Sequence, residues 1–270
     1  MGKLAILLVG STTRDEFADA VGTLERFGQV VRAADLAEAT QLVAAGRVRP
    51  DLIVVAQAFP GQFRGDALER LCRAAPLSRL VGLLGSWCEG ETRTGSPWPA
   101  AIRVYWHQWQ PGAVRELERL AAGSGSTWSL PVTASEEERL LALAEQPIHR
   151  RQGRIGIWAS QWAMLDWLQA ACLRRGYTPL AMGPRRAAPA GELAAVIFDA
   201  ADGPDWAVHS LEQLAAARPS VPIVALMDFP RAENHQRLFA AGAAAVLSKP
   251  LLLDDLFWQL DQFTSLTQTL

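Results

Sequence analysis

Two short apolar runs end in residues able to do chemistry: AAVIFDA over residues 194–200 delivers Asp199, and AAVLSKP over residues 244–250 delivers Lys249 followed by Pro250. A carboxylate and an ammonium at neighbouring strand ends have three uses. They can neutralise each other as an ion pair, the carboxylate can accept a phosphoryl group, or the two can hold an anion or small ligand. The sequence leaves all three open. The same layout recurs earlier, in PDLIVVAQ (50–57) and AIRVYWHQ (101–108), but there Ala56 and His107 occupy the two places.

Other reactive residues do not cluster. His149, His209 and His235 fall in different elements, which argues against a metal centre, and His107 reads as a packed strand residue. Cys72, Cys88 and Cys172 form no CxxC pair and leave an odd thiol, against both a disulfide framework and a structural zinc site. A reducing cytoplasm fits them. No GxxxxGK[ST], strand-borne GxGxxG, GxSxG or HExxH motif occurs, so neither a cofactor nor an enzymatic activity is implied.

Positioning Asp199 and Lys249 requires strands that end together. Runs rich in Ala, Val and Ile, flanked by helical patterns, suit parallel strands buried on both faces, and open α/β sheets keep their sites at the carboxyl ends of such strands. The first half predicts strands at 4–10, 29–34, 51–57, 80–85 and 102–107, with helices at 13–28, 35–46, 65–75 and 111–122. Asp35 is the expected N-cap of the second helix. A fourth helix is missing, and SWCEGETRTGSPWPA (86–100) replaces it as a long loop. The second half predicts strands at 154–159, 178–182, 194–199, 221–226 and 244–247, with helices at 161–175, 206–217, 231–241 and 253–263. Its second helix gives way to GPRRAAPAGE, a loop or single turn. The expected architecture is α/β: two doubly wound, five-stranded parallel-sheet domains in tandem, at 1–122 and 153–270. Residues 123–152 form a linker that starts flexibly as GSGS and holds a short helix at 136–145, opened by a capping box at Ser135.

A chain of 270 residues, half of them hydrophobic, can build two cores, and a net charge of −2 gives no overall field toward nucleic acid or an anionic membrane. The N-terminal apolar run is too short to span a bilayer.

In strand order and spacing the second half resembles the receiver domain of two-component response regulators, and the first half resembles a degenerate copy. In that family an acidic pair after strand one holds Mg²⁺, an Asp ending strand three accepts the phosphoryl group, a Thr or Ser ends strand four, and a Lys-Pro pair ends strand five. Here Asp199 and Lys249-Pro250 match, whereas Ala159 and Ser160 stand for the acidic pair and Met227 for the hydroxyl residue. The resemblance implies a cis bond before Pro250. In the first half the acidic pair becomes Gly10 and Ser11, the acceptor Ala56 and the lysine His107. One carboxylate with at best a weak hydroxyl binds Mg²⁺ poorly, and a thioether cannot follow a phosphoryl oxygen. The expectation is a non-enzymatic signalling protein acting through protein partners without phosphorylation. A phosphoacceptor using Asp199 and a small-ligand sensor are the alternatives.

Ten tryptophans are many for this length. Trp87, Trp98, Trp106 and Trp109 fall on the loop and fifth-strand side of the first half, near Glu89 and Arg93. Trp87 and Trp98 either fold over the gap left by the missing helix or form an exposed partner-binding patch. Trp158, Trp162 and Trp167 are expected to fill the vacated acidic site. Leu253, Leu256, Phe257 and Leu260 on the last helix pack on the second sheet, and residual apolar surface there is a route to a homodimer.

Overall fold

The computed structural model describes residues 3–91, 95, 98, 101–131, 133–144, 149–183, 191–201, 204–228 and 231–267. The chain divides into two compact units, Met1–Glu145 and Gln146–Leu270.

In the first unit the strands are β1 (Leu4–Val9), β2 (Gly28–Ala33), β3 (Leu52–Gln57), β4 (Arg79–Leu84) and β5 (Ile102–Tyr105). They form one parallel sheet of order β2-β1-β3-β4-β5. β3 lies at the centre and every one of its residues is buried, as a continuous apolar run between two helical layers requires. The helices are α1 (Ala18–Phe27), α2 (Leu36–Ala44), α3 (Gly65–Ala74), α4 (Val114–Ala122) and α5 (Glu136–Ala144). Leu36 and Ala39 of α2 and Leu68 and Leu71 of α3 pack on Leu7, Val9, Ile53 and Val55. Each such buried side chain contributes about 1.5–3 kcal/mol of transfer free energy. Asp35 caps α2 as expected, its Oδ1 accepting from the amides of Ala37 and Glu38 at 2.8 and 2.9 Å. Ser135 and Glu138 make the expected reciprocal box at the start of α5.

Two local expectations fail in this unit. The first helix opens as a 3-10 turn, Asp15–Phe17, before α1 begins. The fifth strand stops at Tyr105, so Trp106 and His107 sit in a 3-10 turn, Trp106–Gln108, followed by a π turn, Trp109–Ala113. The start of the linker carries local structure of its own. Gly123 ends α4 in the left-handed region at φ 66°, and Ser126 caps a 3-10 turn, Thr127–Ser129. Buried Glu116 of α4 then accepts from Ser126 Oγ at 2.8 Å and from the Thr127 amide at 2.7 Å. Trp128 is buried, its ring 6.5 Å from that of Trp109.

The second unit repeats the plan with β6 (Arg154–Trp158), β7 (Thr178–Met182), β8 (Ala195–Asp199), β9 (Ile223–Asp228) and β10 (Ala245–Lys249), in the order β10-β9-β8-β6-β7. Its helices are α6 (Trp162–Arg175), α7 (Pro204–Ala217), α8 (Ala232–Ala240) and α9 (Leu253–Thr267). One face of the sheet packs Val196 and Phe198 against Ala207, Leu211 and Leu238. The other packs Ile155, Ile157 and Ile197 against Leu165, Leu168, Leu256 and Leu260. α6 ends at Gly176, where φ is 99° and a side chain would be strained. The residues expected to replace a second helix lie largely outside the described residues. No described helix is long and apolar enough to cross a membrane.

Candidate functional site

Parallel strands bring Asp199 and Lys249 to the same edge of the second sheet, two strands apart across β9. Asp199 is fully buried, and Lys249 Nζ donates to its Oδ1 at 2.7 Å. Lys249 also lies 3.3 Å from Asp228 Oδ2, a carboxylate 55% exposed. The prediction that β9 stops at Leu226 hid Asp228. The strand runs two residues further because Met227 pairs with Ser248 and Asp228 with Lys249. Asp228 therefore neutralises the outer side of the ammonium while Asp199 holds the inner side.

The remaining matched positions add little chemistry. Ser160 is exposed and Ala159 half-buried just beyond β6, so no carboxylate enters from that side. Met227 is buried in the apolar cluster formed with Phe198 and Leu238. The Lys249–Pro250 bond is cis, and Pro250 is exposed. One atom is left over: Asp199 Oδ2 is buried and has no hydrogen-bond partner. As a Mg²⁺ site this donor set does not fit. It offers one buried carboxylate already paired with a lysine and an alanine where the receiver family carries an acid, and Asp228 is turned to Lys249. A small hard cation needs several oxygen ligands at once. Among the described residues no group of three His, Cys, Asp or Glu could hold a metal ion.

The rings around this edge do not fill it. Trp158 packs beside Phe198 with centroids 6.1 Å apart, and Trp206 stacks on the same ring at 6.0 Å. Trp162 is 72% and Trp167 40% exposed, contrary to the expectation that they occupy the vacated acidic site. Both belong to the outer side of α6, whose inner side supplies Leu165 and Leu168 to the core.

At the corresponding edge of the first unit Ala56 is fully buried and has no reactive group. Gly10, with φ 94°, lets the chain close on it: a Cβ there would stand 2.9 Å from the Ala56 carbonyl oxygen and 3.0 Å from the Phe63 ring. The polar residues nearby are tied to one another. Buried Glu16 accepts from Arg14 Nε at 2.7 Å and from the amide and hydroxyl of Ser86 at 3.0 and 2.6 Å. His107 Nε2 lies 3.3 Å from Glu89 Oε1. Burial and the nearby Glu16 push the Glu89 carboxyl above the usual carboxylate range. A second buried chain, which the sequence reading missed, runs from Gln57 through Glu91 to Arg103, with bonds of 3.0 and 2.8 Å.

The tryptophans divide. Trp98 is buried across Gly82 of β4, where a Cβ would meet its ring at 3.2 Å, and its Nε1 donates to the Phe63 carbonyl at 3.4 Å. The residues expected to replace a fourth helix lie partly outside the described residues. Trp106 and Trp109 are buried as well, so neither is available to a partner. Trp87, by contrast, is 71% exposed and Phe59 is 53% exposed. They stand on adjacent loops, since a Cβ on Gly85 would lie 3.1 Å from the Ala58 carbonyl oxygen. Glu89 is half-buried, and Arg93 lies outside the described residues.

No family model matches the chain, and no curated protein matches it. Among solved structures it is similar to a CheY-like receiver domain from Methanospirillum hungatei, at 21% identity over 44% of this chain and 98% of that one, with a TM-score of 0.38. It is also similar to the chemotaxis protein CheY4 of Vibrio cholerae, at 17% identity over 42% of this chain and 99% of that one, with the same TM-score. A response regulator from Thermotoga maritima matches at 13% identity over 43% of this chain and 99% of that one, again with a TM-score of 0.38. Each likeness spans one unit's length of this chain and is one of fold. Independently of them, two all-parallel sheets ordered 2-1-3-4-5 make this chain a tandem of flavodoxin-like α/β units of the kind receiver domains have.

Proposed function

We propose that the chain is a non-enzymatic regulatory protein: two degenerate receiver units that engage signalling proteins by contact and not through phosphorylation. The observation that carries this reading is the state of Asp199, which is buried, paired with Lys249 at 2.7 Å and, among the described residues, without a second carboxylate free to share a metal ion. Phosphoryl transfer depends on positioning and on neutralising charge at the transferring oxygens, and a metal ion usually supplies the latter. The first unit supports the reading further, because Ala56 cannot be modified. Exposed Phe59 and Trp87 offer the aromatic surface that protein contacts favour. Three free cysteines agree with a reducing compartment such as the cytoplasm.

A Mg²⁺ titration tests this. Trp158 and Trp206 flank Phe198, the neighbour of Asp199, and report on that edge by fluorescence. The proposal expects no saturable change at millimolar Mg²⁺. A saturable change that disappears in Asp199→Asn would contradict it. The unpartnered Asp199 Oδ2 favours a second reading, in which the edge accepts one hydrogen-bond donor from a small ligand or serves as a phosphoacceptor. A thermal-shift screen giving a hit that Asp199→Asn abolishes would support the ligand form of it.

A further inference from the structure

Helix α6 is apolar on both sides. Its inner side, Leu165, Leu168, Ala171 and Cys172, is buried on the second sheet. The outer side of a surface helix should then be polar. Here the exposed positions are Ala163, Asp166, Trp167, Ala170, Leu173 and Arg174, with Trp162 at the N-terminal end. Their spacing of three and four residues sets them in one stripe along the helix. Trp162, Trp167 and Leu173 are 72%, 40% and 63% exposed, which leaves roughly 300–400 Å² of apolar surface, on the order of a whole monomer's largest patch.

We infer that this stripe is the face on which two copies of the chain pair, helix against helix and antiparallel. The order of its residues carries the assignment. With the two-fold axis at Ala170, Asp166 of one copy stands opposite Arg174 of the other, and the axis repeats that pair. Residue i facing j while j faces i is the requirement of a two-fold interface. Neither Asp166 nor Arg174 has an ion-pair partner among the described residues, so both charges are free to pair across the axis. Ala170 at the crossing point permits close approach of the backbones. Area agrees as well. Two such faces bring about 700 Å² of apolar surface together, the apolar share of an interface near the 1,200 Å² lower end of specific association. Pairing does not depend on the state of Asp199.

Sedimentation equilibrium on the full chain tests the inference. The wild type is expected to dimerise. Asp166→Arg and Arg174→Asp, each of which sets two like-charged pairs across the axis, should each raise the dimer dissociation constant about tenfold or more. The double variant should regain the wild-type constant to within about threefold. An equimolar mixture of the two single variants should also dimerise, because every cross pair in the mixed species is again of opposite sign. All these positions are exposed, and circular dichroism checks that each variant folds. A wild type that stays monomeric at high micromolar concentration would overturn the inference. So would a dimer indifferent to the single reversals, or one that the double variant fails to restore.

Discussion

Replacing Lys249 with Met leaves Asp199 buried with neither oxygen paired. At 2.7 Å and an effective dielectric constant near 20, the lost attraction is about 6 kcal/mol before solvation is considered. Desolvation of both groups offsets much of that in the native pair. Removing one partner alone abolishes the attraction while the other group stays buried, and such a change costs about 3–5 kcal/mol. Asp228 adds little, being 55% exposed. For a unit of this size the loss lowers the unfolding midpoint by roughly 10–20 °C. Asp199→Asn should cost less, about 1–2 kcal/mol, because Lys249 keeps Asp228 beside it. Combining Asp199→Leu with Lys249→Met removes both charges at once, and this double variant should return to within about 1 kcal/mol of wild type. Thermal unfolding of the full chain by calorimetry resolves this, the second unit's transition being the one that Lys249→Met moves. The reasoning is refuted if Lys249→Met lies within about 1 kcal/mol of wild type, or if the double variant is no better than the single.

Trp98→Ala should destabilise the first unit by about 3–5 kcal/mol because it opens the slot over Gly82, whereas Trp87→Ala should change stability by under about 0.5 kcal/mol. Glu116→Ala removes the acceptor that holds Ser126 and Thr127, so chymotryptic cleavage after Trp128 in the folded chain should accelerate about tenfold or more. Alkaline pH should weaken the second unit. Burial pushes the Cys172 thiol up to about 12, and burial together with Asp261 pushes the Tyr177 phenol higher still. The unfolded chain releases these protons first, so stability is complete below about pH 8.5, falls by up to about 1.4 kcal/mol per pH unit between about pH 8.5 and 10 as Cys172 contributes, and by up to about twice that above pH 10, where Tyr177 adds to it. Urea titrations at several pH values measure the slope, and Cys172→Ala should flatten its first part. An unchanged slope in that variant would count against the assignment.

What the sequence made legible was the part governed by burial. Parallel strands covered on both faces read as apolar runs, and β3 and β8 stand where such runs predict them. The Asp35 cap and the apolar side of α9 were equally plain, since Leu256 and Leu260 are fully buried. Strand ends were harder, because pairing register and not composition decides them. β9 reaches Asp228 because β10 continues beside it, and a carboxylate next to the lysine was missed. Trp87 and Trp98 fall in one stretch of sequence and look alike there; the bare surface of Gly82 accepts the second, whereas the first stands in solvent. His107 was assigned to a strand and instead turns out of the sheet to meet Glu89.

The claim that phosphorylation is not this chain's means of action is tested most directly by intact-mass measurement after incubation with acetyl phosphate and Mg²⁺. The account predicts an unmodified mass for the wild type, just as for Asp199→Asn. A labile adduct of one phosphoryl group on the wild type, absent from Asp199→Asn, would contradict it.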